Sequence, residues 1–202
     1  MLTIALPKGR IADETLDRFE KAFGEKFVFE NRKLILQKSG FKFLNVRNQD
    51  VPTYVMHGAA DLGVVGLDVL EEKEYDLIKL LDLKLGKCKV AFGLRAGETL
   101  NFDKSKITIA TRHEKITKKY FEEKAMAVEI IKLYGSIELA PLVGLCDCIV
   151  DIVETGETMK QNGLEVGPTI MQSSAHLIAN KNSFYAKKDA IFDLKDRIEK
   201  YL

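Results

Sequence analysis

The amino-acid sequence predicts an α/β fold, and three features support this prediction. Apolar segments of strand length alternate with segments of helical periodicity along most of the 202 residues. Several apolar segments end in glycine and polar residues, which is where ligands bind in a mostly parallel, helix-covered sheet. Predicted strands also lie on both sides of residues 94–104, and each set is large enough for a small open sheet. We therefore expect two lobes.

The first half of the chain is expected to open with a strand, a loop and a helix. In the helix predicted over about 13–23, Leu16, Phe19, Ala22 and Phe23 recur at helical spacing. Pro52 suits an early position in a later helix, where its missing N–H costs little. The predicted strands are 2–6, 34–37, 42–46, 60–65, 77–83 and 88–94, and the further helices are 51–57 and 67–72.

The second half repeats the alternation of strands and helices. Residues 188–202 predict an amphipathic helix, since Ile191, Leu194, Ile198 and Leu202 share one face. Residues 163–180 predict two strands joined by turns. The other predicted strands are 107–111, 128–133 and 148–153, and the other predicted helices are 114–124, 142–145 and 157–162.

Composition argues against several classes of protein. Lysine and arginine total 31 against 30 acidic residues, so the chain lacks the global positive field of a dedicated nucleic-acid binder. No apolar segment is long enough to cross a bilayer, and the first one is too short for a signal peptide. The three cysteines are odd in number and lie in apolar segments, which favours reduced thiols. We expect a cytoplasmic protein that binds neither nucleic acid nor membrane.

The segment I-V-D-I-V-E-T-G-E-T-M, residues 149–159, has the pattern of a phosphate-binding site. An apolar strand ends in a tight turn before a helix, which leaves backbone N–H groups free to bind an anion. The acids suit a phosphorylated sugar, because carboxylates accept hydrogen bonds from ribose hydroxyls or reach Mg²⁺. The expected ligand is a ribose phosphate, and the candidate residues are Asp151, Glu154, Thr155, Gly156, Glu157 and Thr158.

Basic residues at the ends of predicted strands form a second group of candidates. Lys8 and Arg10 flank a glycine just before a helix, where a phosphate would meet two positive charges. A solvated basic turn explains the same residues equally well. Arg32 and Arg47 lie among polar residues at strand edges, where an arginine exposed on the surface is the ordinary interpretation.

Gly66, Asp68 and Glu138 complete the candidates. Gly66 ends a predicted strand where a ligand can approach the backbone, and Asp68 falls in the first helical turn, where helix capping is the structural alternative. Glu138 lies in a turn that also has a purely structural interpretation. The chain contains no G-x-x-x-x-G-K-[ST], G-x-G-x-x-G or G-x-S-x-G motif, so P-loop kinases, Rossmann dehydrogenases and α/β-hydrolases lose their main support.

Six segments, in order along the chain, resemble the ATP phosphoribosyltransferases that begin histidine biosynthesis. Each segment alone is weak, but the combination is specific. They are L-P-K-G-R at 6–10, R-N-Q-D-V-P at 47–52, D-L-G-V-V-G-L-D-V-L at 61–70, L-D-L-K-L-G-K-C at 81–88, G-S-I-E-L-A-P at 135–141 and D-I-V-E-T-G-E-T-M-K-Q-N-G-L at 151–164.

The resemblance implies a two-lobed fold like that of type II periplasmic binding proteins, with the active site in the interlobe cleft. Lobe I would comprise residues 1–93 plus 171–202, and lobe II residues 94–170. The implied reaction joins N1 of the adenine of ATP to C1 of phosphoribosyl pyrophosphate and releases pyrophosphate with inversion. Mg²⁺ is the implied cofactor, bound mainly through the substrate phosphates.

The resemblance also implies roles for the candidate residues. Lys8, Arg32 and Arg47 would be the catalytic cations that face pyrophosphate or the ATP phosphates. Asp151 and Glu154 would bind the ribose hydroxyls, and no residue is a convincing general base. The 5-phosphate would be bound by Thr155, Gly156, Glu157 and Thr158, and ATP by Leu6, Arg10, Gly66, Asp68 and Glu138.

The length resembles that of the short form of the family. Its relatives depend on a regulatory subunit resembling histidyl-tRNA synthetase and assemble with it as a hetero-oligomer. We therefore expect such a partner, together with self-association as a dimer. The alternative is a solute-binding protein on the same fold or an inactive regulatory relative; the missing signal peptide argues against the first, and the intact P-K-G-R and T-G-E-T segments argue against the second.

Overall fold

A computed structural model describes residues 1–101, 104 and 106–202, and these residues form eleven strands and eight α-helices. The strands are β1 Leu2–Pro7, β2 Ile35–Lys38, β3 Phe41–Val46, β4 Leu62–Gly66, β5 Ile78–Asp82, β6 Cys88–Arg95, β7 Ile107–Thr111, β8 Val128–Lys132, β9 Cys148–Val153, β10 Leu164–Ser173 and β11 Ala175–Ala179. The helices are α1 Arg10–Phe23, α2 Val51–Met56, α3 Leu67–Lys73, α4 Glu114–Glu122, α5 Leu139–Leu142, α6 Glu157–Gln161, α7 Lys181–Ala186 and α8 Lys188–Glu199.

The chain divides into two compact units, one comprising Met1–Gly86 with Ser174–Leu202 and the other Lys87–Ser173. The first contains a six-stranded sheet in the order β2-β3-β1-β4-β11-β5, and the second a five-stranded sheet in the order β10-β6-β9-β7-β8. The sequence placed the boundaries after residues 93 and 170, inside β6 and β10. Because β6 pairs with both β9 and β10, all of β6 and β10 belong to the second unit.

Both sheets are mixed, so the expectation of a mostly parallel sheet is wrong. Parallel pairing is confined to β1 with β3 and β4, and to β7 with β8 and β9. The antiparallel edge strand β2 follows from a tight turn, in which Ser39 and Gly40 have φ of 49° and 81° and reverse the chain into β3. β10 and β11 likewise run antiparallel to their neighbours.

Three predicted helices differ from those observed. α1 begins at Arg10 rather than near residue 13. The helix expected at 142–145 lies at Leu139–Leu142, and Gly144 with φ of 73° follows it and prevents its continuation. The C-terminal helix expected over 188–202 ends at Glu199 and is preceded by the unpredicted α7. Asn180 caps α7 by accepting a hydrogen bond from the Ser183 amide at 3.0 Å.

Separate apolar cores support the two sheets. In the first unit, Phe19 of α1 is fully buried and meets the ring of Phe43 edge-on, with 5.0 Å between centroids. In the second unit, the strands carry apolar side chains on both faces, with Phe92 on one and Ile149 on the other. Both faces of this sheet are thus covered, and its strand ends remain available to ligands.

The three cysteines are thiols rather than disulfides, as expected. Burial raises the pKa of the Cys148 thiol to about 12. In the described part of the chain, no helix combines the length and apolar character needed to cross a membrane.

Candidate active site

A pocket of about 480 Å³ lies at the carboxyl end of β9 in the second unit. Its lining combines residues after β9 with residues after β7, because the two strands are parallel neighbours with Thr111 opposite Val150. Seven of the predicted site residues meet there. They are Glu138, Asp151, Glu154, Thr155, Gly156, Glu157 and Thr158.

Gly156 determines the path of the loop between β9 and α6. Its φ of 83° lies in the left-handed region, and a Cβ at this position would approach Val166 Cγ2 to 3.0 Å. The Glu157 amide lies 3.3 Å from Thr155 Oγ1, and the Glu157 carboxylate accepts a hydrogen bond from Gln161 at 3.1 Å. The Glu157 side chain therefore turns along α6, while hydroxyl and backbone groups of the loop line the pocket.

Asp151 is buried in β9 and is paired with Arg112. Its Oδ1 lies 3.2 Å from Arg112 Nε and its Oδ2 lies 3.3 Å from Arg112 Nη2. The Ile152 amide donates to Oδ1 at 2.8 Å, and Nε2 of the buried His113 lies 3.8 Å from the same oxygen. The carboxylate is therefore held by a charged donor, the Arg112 guanidinium, and a neutral donor, the Ile152 amide.

Arg112 and His113 were not among the predicted site residues. They directly follow β7, which lies beside β9. This pairing joins Thr111 to Val150, which are 39 positions apart in the sequence. The sequence feature that could have indicated Arg112 and His113 is their position as polar residues at the end of a predicted strand. The same feature identified Arg47. Nothing in the local sequence indicates that β7 and β9 are neighbours.

The first unit brings a second group of predicted residues to one edge of its sheet. β1, β3 and β4 are parallel, so Lys8, Arg47 and Gly66 lie at or just after carboxyl ends of neighbouring strands. The Lys8 amide donates to Val46 O at 2.8 Å, which keeps the segment after β1 beside the segment after β3. This edge is the usual ligand-binding position in an α/β sheet.

Other predicted residues occupy the same edge in different environments. Leu6 is fully buried within β1, so only its backbone is available to a ligand, and Arg10 begins α1 with its Nε 3.6 Å from Glu14. Arg32 is exposed in the turn before β2. Two residues later, Leu34 O accepts a hydrogen bond from the Asn45 amide, which brings this turn close to the end of β3. Asp68 is buried in the first turn of α3.

Three polar residues at this edge were not predicted to belong to it. Asp82, at the end of β5, accepts hydrogen bonds from Ser174 Oγ at 2.6 Å and from the Lys84 amide at 2.8 Å. Burial raises the pKa of Asp82, but these hydrogen bonds outweigh it, and the pKa lies below its usual value. His176 Nδ1 lies 3.0 Å from Ser174 O. Asp82 lies within the L-D-L-K-L-G-K-C segment, which carries part of the family resemblance but none of the predicted site residues.

The described residues contain no group of three or more His, Cys, Asp or Glu side chains arranged to hold a metal ion. Carboxylates are present in the β9 pocket, but they do not form a preassembled cage. Mg²⁺ typically binds through one or two carboxylates together with substrate phosphates, and this pocket is compatible with that mode.

The two sheets and their strand order identify the fold class of the protein. The chain has the type II periplasmic-binding-protein fold, as predicted. It matches the substrate-binding protein of an amino-acid ABC transporter with a TM-score of 0.61 at 12% identity, covering 98% of this chain and 91% of that one. A probable extracellular-binding protein from Bacillus subtilis matches with a TM-score of 0.62 at 11% identity, covering 98% and 92%. At these identities the likeness shows the fold alone.

The chain belongs to the ATP phosphoribosyltransferase family, whose model matches residues 47–200. It is 65% identical to the ATP phosphoribosyltransferase of Wolinella succinogenes over 99% of this chain and 97% of that one, and 58% identical to that of Helicobacter hepaticus over 100% and 98%. The ATP phosphoribosyltransferase (HisG:HisZ) complex from Thermotoga maritima matches with a TM-score of 0.84 at 34% identity, covering 99% and 98%. The predicted family and enzyme class are confirmed.

Proposed function

We propose that this chain carries out the family's reaction with the residues described above, transferring the phosphoribosyl group of phosphoribosyl pyrophosphate to N1 of ATP. The reaction releases pyrophosphate and is the first step of histidine biosynthesis. The observation that carries the residue assignment is the pocket after β9, where hydroxyls, backbone groups and carboxylates converge at the end of a buried strand. This combination suits a sugar phosphate better than an apolar ligand.

The loop residues Thr155, Gly156, Glu157 and Thr158 bind the 5-phosphate of the donor. Thr155 and Thr158 contribute hydroxyls, and the Glu157 carboxylate is engaged by Gln161. Glu157 contributes its amide, which exchanges its 3.3 Å contact with Thr155 Oγ1 for a phosphate oxygen when the donor binds. Glu154 and Asp151 serve the ribose side of the pocket. Glu138 lies in the same pocket and contacts the incoming ATP.

The edge of the first sheet binds the more highly charged groups. Lys8, Arg32 and Arg47 are exposed at or near the carboxyl ends of β1 and β3, and they bind pyrophosphate or the ATP phosphates. Leu6, through its backbone, Arg10, Gly66 and Asp68 complete the ATP contacts. Positive charge is needed here because phosphate oxygens carry charge in both substrates and the leaving pyrophosphate gains more.

No general base is required in this mechanism. The adenine N1 lone pair attacks C1 as the bond to pyrophosphate breaks, with inversion at C1. The ribosyl centre then carries oxocarbenium character, and the fixed charges and dipoles of the site stabilise it together with the leaving group. A Mg²⁺ ion would be held mainly by the substrate phosphates, and it would neutralise part of their charge.

The proposed partner is a regulatory subunit resembling histidyl-tRNA synthetase, and the proposed assembly is a hetero-oligomer that contains a dimer of this chain. Support comes from the Thermotoga maritima relative, which is described as a HisG:HisZ complex. The proposed location is the cytoplasm, where ATP is available and free thiols remain reduced.

The decisive assay contains ATP, phosphoribosyl pyrophosphate and Mg²⁺, and follows formation of the adduct by ultraviolet absorbance. It is run with the chain alone and with a candidate regulatory subunit. We expect turnover in at least one condition. Absence of turnover in both, at saturating substrate concentrations, would overturn the proposed function.

A further inference from the structure

We propose that Arg112 is a further donor-binding residue, which binds the pyrophosphate group of phosphoribosyl pyrophosphate and is positioned by Asp151. This inference rests on the proposed function. Arg112 directly follows β7, and its side chain contacts Asp151 on the neighbouring strand β9. Its side chain is 44% exposed, whereas that of Asp151 is 6% exposed. The arginine is therefore the accessible member of the pair.

The charge of the pocket provides the main argument. Among the described residues that line it, Arg112 is the only cation, while Glu138, Asp151, Glu154 and Glu157 are acids. Phosphoribosyl pyrophosphate carries a phosphate and a pyrophosphate, which four carboxylates would repel. A guanidinium at this position offsets part of that repulsion and provides directed donors.

The geometry leaves Arg112 able to bind a ligand while it contacts Asp151. A guanidinium has five N–H donors, and the contacts with Asp151 at 3.2 and 3.3 Å use Nε and Nη2. Two contacts along one side hold the guanidinium plane in a fixed orientation. Asp151 is in turn fixed by the Ile152 amide at 2.8 Å. The carboxylate thus positions the arginine, and the remaining donors are available to phosphate oxygens.

The position of Arg112 favours the pyrophosphate over the 5-phosphate. The 5-phosphate is assigned to the loop at residues 155–158, which follows β9 and provides hydroxyls and amides. Arg112 comes from the adjacent strand, roughly 5 Å away across the sheet. The group at C1 is also the one that gains negative charge during the reaction, so a cation there contributes more in the transition state than in the ground state.

The test compares Arg112→Met, Arg112→Lys and the control Lys118→Met. Lys118 is an exposed cation on α4 that does not line the pocket. Calorimetry measures the affinity of each variant for Mg²⁺-phosphoribosyl pyrophosphate and for ribose 5-phosphate. We expect Arg112→Met to weaken donor binding about 10- to 100-fold, as for loss of a charged hydrogen bond, and to change ribose 5-phosphate affinity by less than about twofold. Arg112→Lys should recover part of the loss, and Lys118→Met should match the wild type.

A double-mutant cycle tests the positioning role of Asp151. Asp151→Asn should weaken donor binding more in the wild-type background than in the Arg112→Met background, because its own contact with the ribose is lost in both and its effect through Arg112 only in the first. The double variant removes both charges and therefore leaves no unpaired buried carboxylate. It remains informative if the single variant Arg112→Met fails to fold. Melting temperatures of all variants are measured in parallel. If the double variant melts at the wild-type temperature but binds the donor more weakly, the loss of donor affinity does not arise from loss of stability.

The outcomes distinguish this inference from the proposed function. A wild-type chain that neither binds the donor nor turns over ATP, alone or with a partner, contradicts both. Wild-type turnover combined with normal donor affinity in Arg112→Met overturns only the role of Arg112. If Arg112→Met weakens the binding of the donor and of ribose 5-phosphate equally, Arg112 contacts the 5-phosphate rather than the pyrophosphate. If the losses of donor affinity in the double-mutant cycle are additive, Asp151 does not position Arg112.

Discussion

Lys187 contacts both carboxylate oxygens of Asp61, at 2.9 Å from Oδ1 and 2.8 Å from Oδ2. The two residues are 126 positions apart in the sequence. Asp61 also accepts a hydrogen bond from the Thr3 amide at 2.8 Å. Lys187, which lies between α7 and α8, therefore contacts the segment where β1 and β4 begin. These two strands carry predicted site residues at their carboxyl ends.

Lys187→Met should destabilise the protein by about 2 kcal/mol, because it leaves the buried carboxylate of Asp61 without its charged partner. Urea unfolding measures the change. The matched control is Lys181→Met, which breaks a contact of 2.5 Å with Asp76 between two exposed side chains. That pair should contribute less than about 1 kcal/mol. Equal losses in the two variants would contradict the stabilising role of the buried pair.

The stabilisation due to Asp61 should depend on pH. Burial raises the pKa of Asp61, but hydrogen bonds from Lys187 and Thr3 outweigh it, and the folded pKa lies below the ordinary value. The contribution is therefore complete above the unfolded pKa of about 3.9 and is lost as the pH falls through the folded pKa. Asp61→Asn should be less stable than the wild type at pH 7, and the gap should narrow below about pH 4. Unfolding free energies measured from pH 3 to 7 test this, and a gap that stays constant would contradict it.

The local patterns in the sequence predicted the elements that carry the site. The apolar run at 148–153 is observed as β9, and the acids, threonines and glycine after it line one pocket. These features are local, since strand and turn preferences depend on neighbouring residues. The fold class and family followed from six such segments in order.

The relations between distant segments were not predictable in the same way. β10 and β11 carry ordinary strand patterns, and nothing within them specifies that they pair antiparallel to β6 and β4. Arg112 was missed for the same reason, because its contact with Asp151 requires β7 and β9 to be adjacent. Asp82 and Ser174 meet through a hydrogen bond between residues 92 positions apart. Tertiary pairing therefore determined the parts of the site that sequence patterns did not reveal.

Arg47→Ala should lower kcat by about 10²- to 10³-fold with little change in melting temperature, because the exposed guanidinium is assigned to phosphate rather than to packing. The measurement is steady-state turnover together with thermal unfolding. Lys21→Ala is the control, since Lys21 is an exposed cation in the last turn of α1, at the opposite end from the site residues. Normal turnover in Arg47→Ala would remove its catalytic assignment.

Gly156→Ala should impair donor binding because the loop needs both a left-handed backbone and space beside Val166. The new Cβ would lie 3.0 Å from Val166 Cγ2, so either Val166 or the loop backbone must move by a few tenths of an ångström, in addition to the strain of an alanine at φ of 83°. We expect the KM for phosphoribosyl pyrophosphate to rise about tenfold or more, since small displacements of binding groups have large effects. The measurement is the KM for the donor at saturating ATP.

Gly163→Ala separates this effect from backbone strain alone. Gly163 has φ of 71°, close to the 83° of Gly156, but a Cβ there would meet no atom within 4 Å, and Gly163 does not line the pocket. Both alanine variants should lose about 1–2 kcal/mol of stability from the left-handed conformation. Only Gly156→Ala should change the donor KM. If the two variants raise the KM equally, the effect arises from general loosening of the second unit, and the loop at 155–158 loses its assignment as the 5-phosphate site.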